Sequence, residues 1–213
     1  MKKKLRPLYG IAGTGSIPRG KFLHRVERAI LGGVSVFQLR EKNKSKKEII
    51  EIAKEVKKIC SAYNTVFIIN DNPYIAKEVD ADGVHLGRDD FDVKTAREVL
   101  GEDSIIGVSC YDSFERAEDA QKNGADYVSF SSPFKSPTKP YKPLTPWDVI
   151  EKAVEDLEIP VYVIGGINRD NIDEVLKRKA FGVCVISCIF NSEDPFFPAF
   201  ELKEKILKNK GKN

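Results

Sequence analysis

Val161-Tyr162-Val163-Ile164-Gly165-Gly166-Ile167 and, further along, Gly182-Val183-Cys184-Val185-Ile186-Ser187 are two short apolar runs that each close on small residues. Runs rich in β-branched residues, with no polar alternation, read as strands covered on both faces, the kind found in parallel sheets. Small residues at the C-terminal tips expose backbone N–H groups ahead of a following helix. A β/α barrel holds phosphate in this way after its seventh and eighth strands. The pair therefore predicts an α/β chain whose site lies at the C-terminal ends of its strands and whose substrate carries phosphate.

Similar runs recur at Leu8–Ala12, Val34–Leu39, Val66–Asn70, Gly83–His85, Ser104–Val108 and Tyr127–Phe130, completing eight strands with Val161–Ile164 and Gly182–Ile186. Between them lie longer charged segments of helical period, near Lys21–Leu31, Lys46–Tyr63, Pro73–Val79, Val93–Leu100, Ser113–Asn123, Thr145–Asp156, Arg169–Lys179 and Pro195–Lys208. Eight βα units of this spacing close most naturally into a (β/α)8 TIM barrel. A doubly wound open sheet is the alternative, since periodicity does not show closure, but no GxGxxG follows the first strand. With 213 residues, 41% of them hydrophobic, the chain can bury one substantial core. A single domain over residues 1–213 is expected, with 1–6 and 209–213 as flexible tails.

No segment approaches the roughly 20 apolar residues of a membrane span. Lys2-Lys3-Lys4 is followed by Leu5-Arg6-Pro7 rather than an apolar signal core. A soluble, cytoplasmic protein without a membrane role is expected. The net charge of +3 comes from lysines at the two ends, and no basic stripe interleaved with aromatics lies between them, which argues against a nucleic-acid partner. Cys60, Cys110, Cys184 and Cys188 form no CxxC pair and read as reduced, mostly buried thiols. A homo-oligomer is left open.

The second strand ends in Gln38-Leu39-Arg40-Glu41-Lys42, where the period of two sets Gln38, Arg40 and Lys42 on one side. At a barrel mouth, two cations need an anion such as diphosphate to offset their desolvation; on a surface strand end they would simply be solvated. Asn70-Asp71 closes the third strand, and Asp89-Asp90 follows His85-Leu86-Gly87 after the fourth. Carboxylates on neighbouring strand tips suit Mg²⁺ shared with substrate phosphates. The competing reading is helix capping, by Asp71 ahead of Pro73 and by Asp89, Asp90 or Asp92 ahead of the next helix; Asp92 fits best because it precedes Val93-Lys94-Thr95. His85 reads as a core or strand-end residue rather than a catalyst. Ser109 ends the fifth strand. The longest connection, Ser131–Pro146, offers Ser136, Thr138 and Lys139 on a Pro-braced loop suited to clasping a phosphate and excluding water.

In order along the chain, Gln38-Leu39-Arg40-Glu41-Lys42, Ile69-Asn70-Asp71, Ala81-Asp82-Gly83-Val84-His85-Leu86-Gly87 through Asp90, Gly107-Val108-Ser109, Gly124-Ala125-Asp126-Tyr127-Val128, Pro137-Thr138-Lys139, Ile164-Gly165-Gly166-Ile167 and Ile186-Ser187 resemble the motif series of the thiamine-phosphate synthase family. The resemblance spans about Tyr9 to Ile189. It implies a (β/α)8 barrel that requires Mg²⁺ and joins 4-amino-2-methyl-5-hydroxymethylpyrimidine diphosphate to 4-methyl-5-(2-phosphoethyl)thiazole, releasing diphosphate and forming thiamine phosphate. It assigns Mg²⁺ to Asp71 and Asp90, and the pyrimidine diphosphate to Arg40, Lys42, Asn70 and Lys139. Gln38 would lie near the ring and Ser109 near the diphosphate; Arg40, Lys42, Lys139 and Ser109 would carry the catalysis. Ser136, Thr138, Gly166, Ile186 and Ser187 would hold the thiazole phosphate. The implied mechanism is dissociative, with diphosphate leaving before the thiazole nitrogen captures a pyrimidine methyl cation.

This chain departs from the family pattern in several places. Ala12-Gly13-Thr14-Gly15 replaces a Thr-Asp after the first strand, and Cys110-Tyr111 stands where a histidine commonly follows the Gly-Val-Ser motif. Pro140–Pro146 replaces a Gly-rich stretch, and Ser136 replaces a Thr. Two other functions remain in view. One is a thiazole phosphate tautomerase of the same superfamily, disfavoured by Tyr111 and by the retained diphosphate and metal set. The other is a non-catalytic barrel that binds thiazole or thiamine phosphate.

Overall fold

The structure, a computed structural model, describes residues 2–15, 17, 19–135 and 144–211. Its strands are β1 (Leu8–Ala12), β2 (Val36–Leu39), β3 (Val66–Asn70), β4 (Gly83–Leu86), β5 (Ile105–Tyr111), β6 (Tyr127–Ser131), β7 (Val161–Ile164) and β8 (Gly182–Val185). They are parallel and adjacent in sequence order, and β8 returns to β1 with Leu8 opposite Val183 and Tyr9 opposite Cys184. That last pairing rules out the open sheet: this is a closed (β/α)8 barrel.

Around it lie α1 (Arg19–Gly32), α2 (Lys46–Ala62), α3 (Pro73–Glu78), α4 (Val93–Leu100), α5 (Phe114–Lys122), α6 (Trp147–Asp156), α7 (Ile172–Leu176), α8 (Ser187–Phe190) and α9 (Phe196–Lys210). Short polar side chains start several of them. Ser45 and Glu48 form a reciprocal capping box on α2, and Asp92 caps α4 by accepting from the Thr95 N–H at 2.7 Å; such caps contribute about 0.5–2 kcal/mol each. None of the described helices is long and apolar enough to cross a membrane.

Many bounds shift by one or two residues, and three elements differ more from the expected pattern. β5 runs on to Tyr111 instead of stopping at Val108, with a register irregularity between Ser109 and Tyr111. α7 covers only Ile172–Leu176 because Asn168 and Asn171 side chains accept backbone N–H groups at Asp170 and Asn168 and hold the preceding residues in a turn. α8 is a single four-residue turn, too short to give a periodic signal.

Alternation along the strands divides the core. Leu8, Phe37, Leu39, Phe67, Ile69, Val84 and Val163 face the helices, where they meet Val26, Val56 and Ile150. Tyr9, Ile11, Val36, Val66, Ile68, Ile105, Tyr127, Tyr162 and Cys184 fill the bore. Gly107 makes room there: a Cβ at this position would lie 2.0 Å from Cζ of Tyr127, so the tyrosine ring can cross the bore only because residue 107 has no side chain.

The opposite end of the bore is tied by acids. Asp82 accepts from the Phe67 N–H at 2.7 Å and pairs with Lys3 at 2.9 Å, and Asp126 accepts from the Ile106 N–H at 2.8 Å and pairs with Arg97 at 2.9 Å. Lys2 also pairs with Asp126, and Arg6 supplies a carbonyl to the Tyr162 hydroxyl at 2.7 Å. The first residues are therefore joined to the barrel floor. All four cysteines are free, with Cys60, Cys110 and Cys184 buried.

Candidate active site

The C-terminal ends of the strands surround a cavity of about 580 Å³. Gln38, Arg40 and Lys42 line it from β2 and the turn after it, Asn70 and Asp71 from β3 and its tip, Asp90 from the turn after β4, and Ser109 from β5. Gly166, Ile186 and Ser187 line its other side. Every described candidate from the sequence thus meets the same cavity. Ser136, Thr138 and Lys139 lie outside the described residues.

Local backbone geometry decides where the acids point. The cap of α3 is Asn72, whose side chain accepts from the Tyr74 and Ile75 N–H groups at 3.0 and 3.1 Å. Asp71 is therefore not the cap. It sits in the left-handed region at φ 68°, a conformation more available to Asp than to most residues, and its N–H donates to the His85 carbonyl at 2.8 Å. This turn presents its carboxyl to the mouth. Asp90 accepts from the Gly87 N–H at 2.7 Å, closing its own loop.

Asp71 and Asp90 face one another across the mouth. Burial pushes the Asp71 carboxyl up to about 6, the hydrogen bond and negative charge of Asp90 add to this, and Lys42 and Arg40 oppose it. The two carboxyls form an all-oxygen pair whose mutual repulsion a divalent cation relieves. Among the described residues no group of three or more His, Cys, Asp or Glu could hold a metal. A hard cation bound here would complete its shell from substrate oxygens and water, as Mg²⁺ commonly does. The donor set fits that ion.

Burial pushes the His85 imidazole down to about 4, so the ring is neutral. It stacks on Tyr127 with centroids 5.5 Å apart, and its Nε2 is 3.1 Å from Ser109 Oγ. Cys184 also lines the cavity, but burial pushes its thiol well up, which makes it a poor nucleophile. Tyr111, in place of the family's histidine, adopts φ 59° and accepts from the Arg88 N–H at 3.3 Å while the Arg88 guanidinium lies 4.8 Å above its ring.

Sequence reasoning missed two contributors. Arg116 of α5 donates to the Ser109 carbonyl at 2.8 Å and the Gly87 carbonyl at 2.9 Å, joining the tips of β4 and β5. The Tyr9 and Tyr127 hydroxyls lie beneath Gln38 and His85. Tyrosines at inward strand positions are a readable signal for the latter, since a buried phenol needs a hydrogen-bond partner.

Cations on one strand tip and paired carboxyls on the next two define the class: a TIM-barrel protein built to handle anionic small molecules at its C-terminal face. A family model described as Thiamine monophosphate synthase matches residues 8–189. A thiamine-phosphate synthase of Campylobacter jejuni is 40% identical over 210 residues, covering 98% of both chains. One from Thermoplasma acidophilum is 40% identical over 201 residues, covering 94% of this chain and 92% of its own. Among solved structures, a thiamine phosphate pyrophosphorylase from Pyrococcus furiosus superposes with a TM-score of 0.86 at 35% identity, covering 95% of this chain and 96% of its own. The chain belongs to the thiamine monophosphate synthase family.

Proposed function

We propose that this barrel is a transferase that condenses 4-amino-2-methyl-5-hydroxymethylpyrimidine diphosphate with 4-methyl-5-(2-phosphoethyl)thiazole to give thiamine phosphate and diphosphate. Supporting it most is the meeting of Arg40, Lys42, Asp71, Asp90 and Ser109 at one cavity that Gly166, Ile186 and Ser187 complete. Relatives about 40% identical over nearly the whole chain carry the name of this activity.

In this reading Arg40, Lys42 and Asn70 hold the diphosphate, and the family resemblance assigns Lys139 to it as well. Gln38 contacts the pyrimidine ring. The thiazole phosphate lies against Gly166, Ile186 and Ser187, and the family resemblance assigns Ser136 and Thr138 to the same group. Asp71 and Asp90 would hold Mg²⁺, which when bound offsets charge on the leaving diphosphate. The bond between the pyrimidine methylene and the bridging oxygen breaks, and its electron pair departs with diphosphate. Arg40, Lys42 and the Ser109 hydroxyl stabilise the charge that develops. The thiazole nitrogen lone pair then forms the new C–N bond to the methylene cation. No side-chain nucleophile is needed, in keeping with the inert Cys184 thiol. A cytoplasmic setting suits such a biosynthetic enzyme.

Bond cleavage ahead of thiazole attack has a direct test. Pyrimidine diphosphate labelled with ¹⁸O in the bridge between methylene and phosphorus, incubated with enzyme and Mg²⁺ without thiazole, is expected to scramble label into the non-bridging positions of that phosphate. Label that stays in the bridge, under conditions where added thiazole gives turnover, would show that displacement needs the nucleophile.

A further inference from the structure

Five side chains run in a hydrogen-bonded file along the cavity floor, from Gln38 on β2 to Ser109 on β5, with Tyr9 and His85 also lining the cavity. Gln38 Nε2 donates to the Tyr9 hydroxyl at 2.8 Å, and the Tyr9 and Tyr127 hydroxyls are 2.9 Å apart. The Tyr127 hydroxyl is 3.0 Å from His85 Nδ1, and His85 Nε2 is 3.1 Å from Ser109 Oγ. Tyr9 and Tyr127 are fully buried, and Gln38 is 1% exposed. The two ends, Gln38 and Ser109, both line the cavity and tie the file to whatever binds there.

The file has only two self-consistent directions. Each hydroxyl has one hydrogen, and a neutral imidazole has one N–H. With Gln38 donating, the Tyr9 hydrogen goes to Tyr127 and the Tyr127 hydrogen to Nδ1. The imidazole hydrogen then sits on Nε2 and goes to Ser109 Oγ, which frees the serine hydrogen for the cavity. With the Gln38 carbonyl accepting from Tyr9, every bond reverses. Ser109 then gives its hydrogen to His85 and shows only lone pairs to the cavity.

We propose that Tyr9 and Tyr127 are positioning residues that transmit this direction, so that the ring substituent met by Gln38 and the diphosphate met by Ser109 are recognised together. The proposal rests on the synthase reading for what lies at each end. An amino group on the ring needs an acceptor, so Gln38 offers Oε1 and keeps Nε2 on Tyr9. That direction turns the Ser109 hydrogen toward the diphosphate. A ring with a carbonyl in the same place draws Nε2 to itself, reverses the file and sets serine lone pairs against an anion. The two tyrosines thereby raise the discrimination against oxo-pyrimidine diphosphates beyond what Gln38 alone supplies.

The test is calorimetric binding of the 4-amino pyrimidine diphosphate and its 4-oxo analogue, with Mg²⁺ and without thiazole, to the wild-type protein and to Tyr127→Phe, Ser109→Ala and the double variant. Tyr127→Phe keeps the ring beside Gly107 and removes the link. It is expected to cut the amino-over-oxo preference by about tenfold or more, the scale of one lost buried hydrogen bond. Ser109→Ala is expected to weaken the amino ligand strongly in the wild-type background and far less in the Tyr127→Phe background, a non-additive cycle. Tyr9→Phe breaks the file one link earlier and should lower the preference likewise, which covers the case in which Tyr127→Phe does not fold. An unchanged preference with additive effects would overturn the proposal. Wild-type turnover with both true substrates is measured alongside, so a failed synthase reading shows there, separately from the selectivity of the variants.

Discussion

Asp71→Asn and Asp90→Asn are each expected to lower turnover by about 10² to 10³-fold, the several kcal/mol that metal stabilisation of a leaving phosphate supplies. Asn at 90 can still accept from the Gly87 N–H, so the loop closure seen at 2.7 Å is kept and only the charge is removed. The fold is not expected to suffer. Burial and the neighbouring Asp90 charge hold the Asp71 carboxyl up at about 6, so neutralising either partner removes a repulsion in the metal-free protein. Thermal melts without metal should therefore show equal or higher Tm for both variants, while the rise in Tm that Mg²⁺ plus diphosphate gives the wild type is lost. Unchanged kinetics together with an unchanged Mg²⁺ response would remove these residues from the metal site.

Arg40→Ala carries the second large effect. It lines the same mouth as Lys42 and, with it, opposes the upward shift at Asp71, as a nearby cation must. Because charge grows on the diphosphate as the C–O bond breaks, the loss should fall more on kcat than on KM, with kcat reduced by about 10² to 10³-fold. Arg40→Lys should recover only part of this, since an ammonium cannot replace a two-pronged contact to phosphate oxygens. Steady-state kinetics with varied pyrimidine diphosphate separates the terms. A rise in KM with kcat intact would place Arg40 in ground-state binding alone.

The barrel was legible because its evidence is repetitive: eight apolar runs recur with helical segments between, and β1, β3 and β7 occur at their expected residues. What escaped was short or irregular, such as the single turn of α8 and the continuation of β5 to Tyr111. At the site, the period of two put Gln38 on the inward face of β2, and Arg40 and Lys42, in the turn after the strand, line the same cavity.

Asp71 was ambiguous for a physical reason. Asn and Asp cap helices about equally well, and adjacent residues 71 and 72 offered both; only the left-handed turn at Asp71 separates their roles. Arg116 was invisible to periodicity because a long side chain reaches from a helix to two strand tips. The matched Ala81-Asp82-Gly83 and Gly124-Ala125-Asp126 stretches prove to serve the floor, where Asp82 and Asp126 hold strand N–H groups and basic side chains. Tyr9 and Tyr127 fall within two of the expected strands and are core, and their hydroxyls became informative only once the barrel closed them onto one another.

The most direct test of the account is product formation by the purified protein given the pyrimidine diphosphate and the thiazole phosphate, with Mg²⁺ and then with a chelator in its place. Thiamine phosphate and diphosphate are expected in equal amounts with Mg²⁺ and little of either with chelator. Thiazole phosphate that binds without either product forming, at any Mg²⁺ concentration, would contradict it.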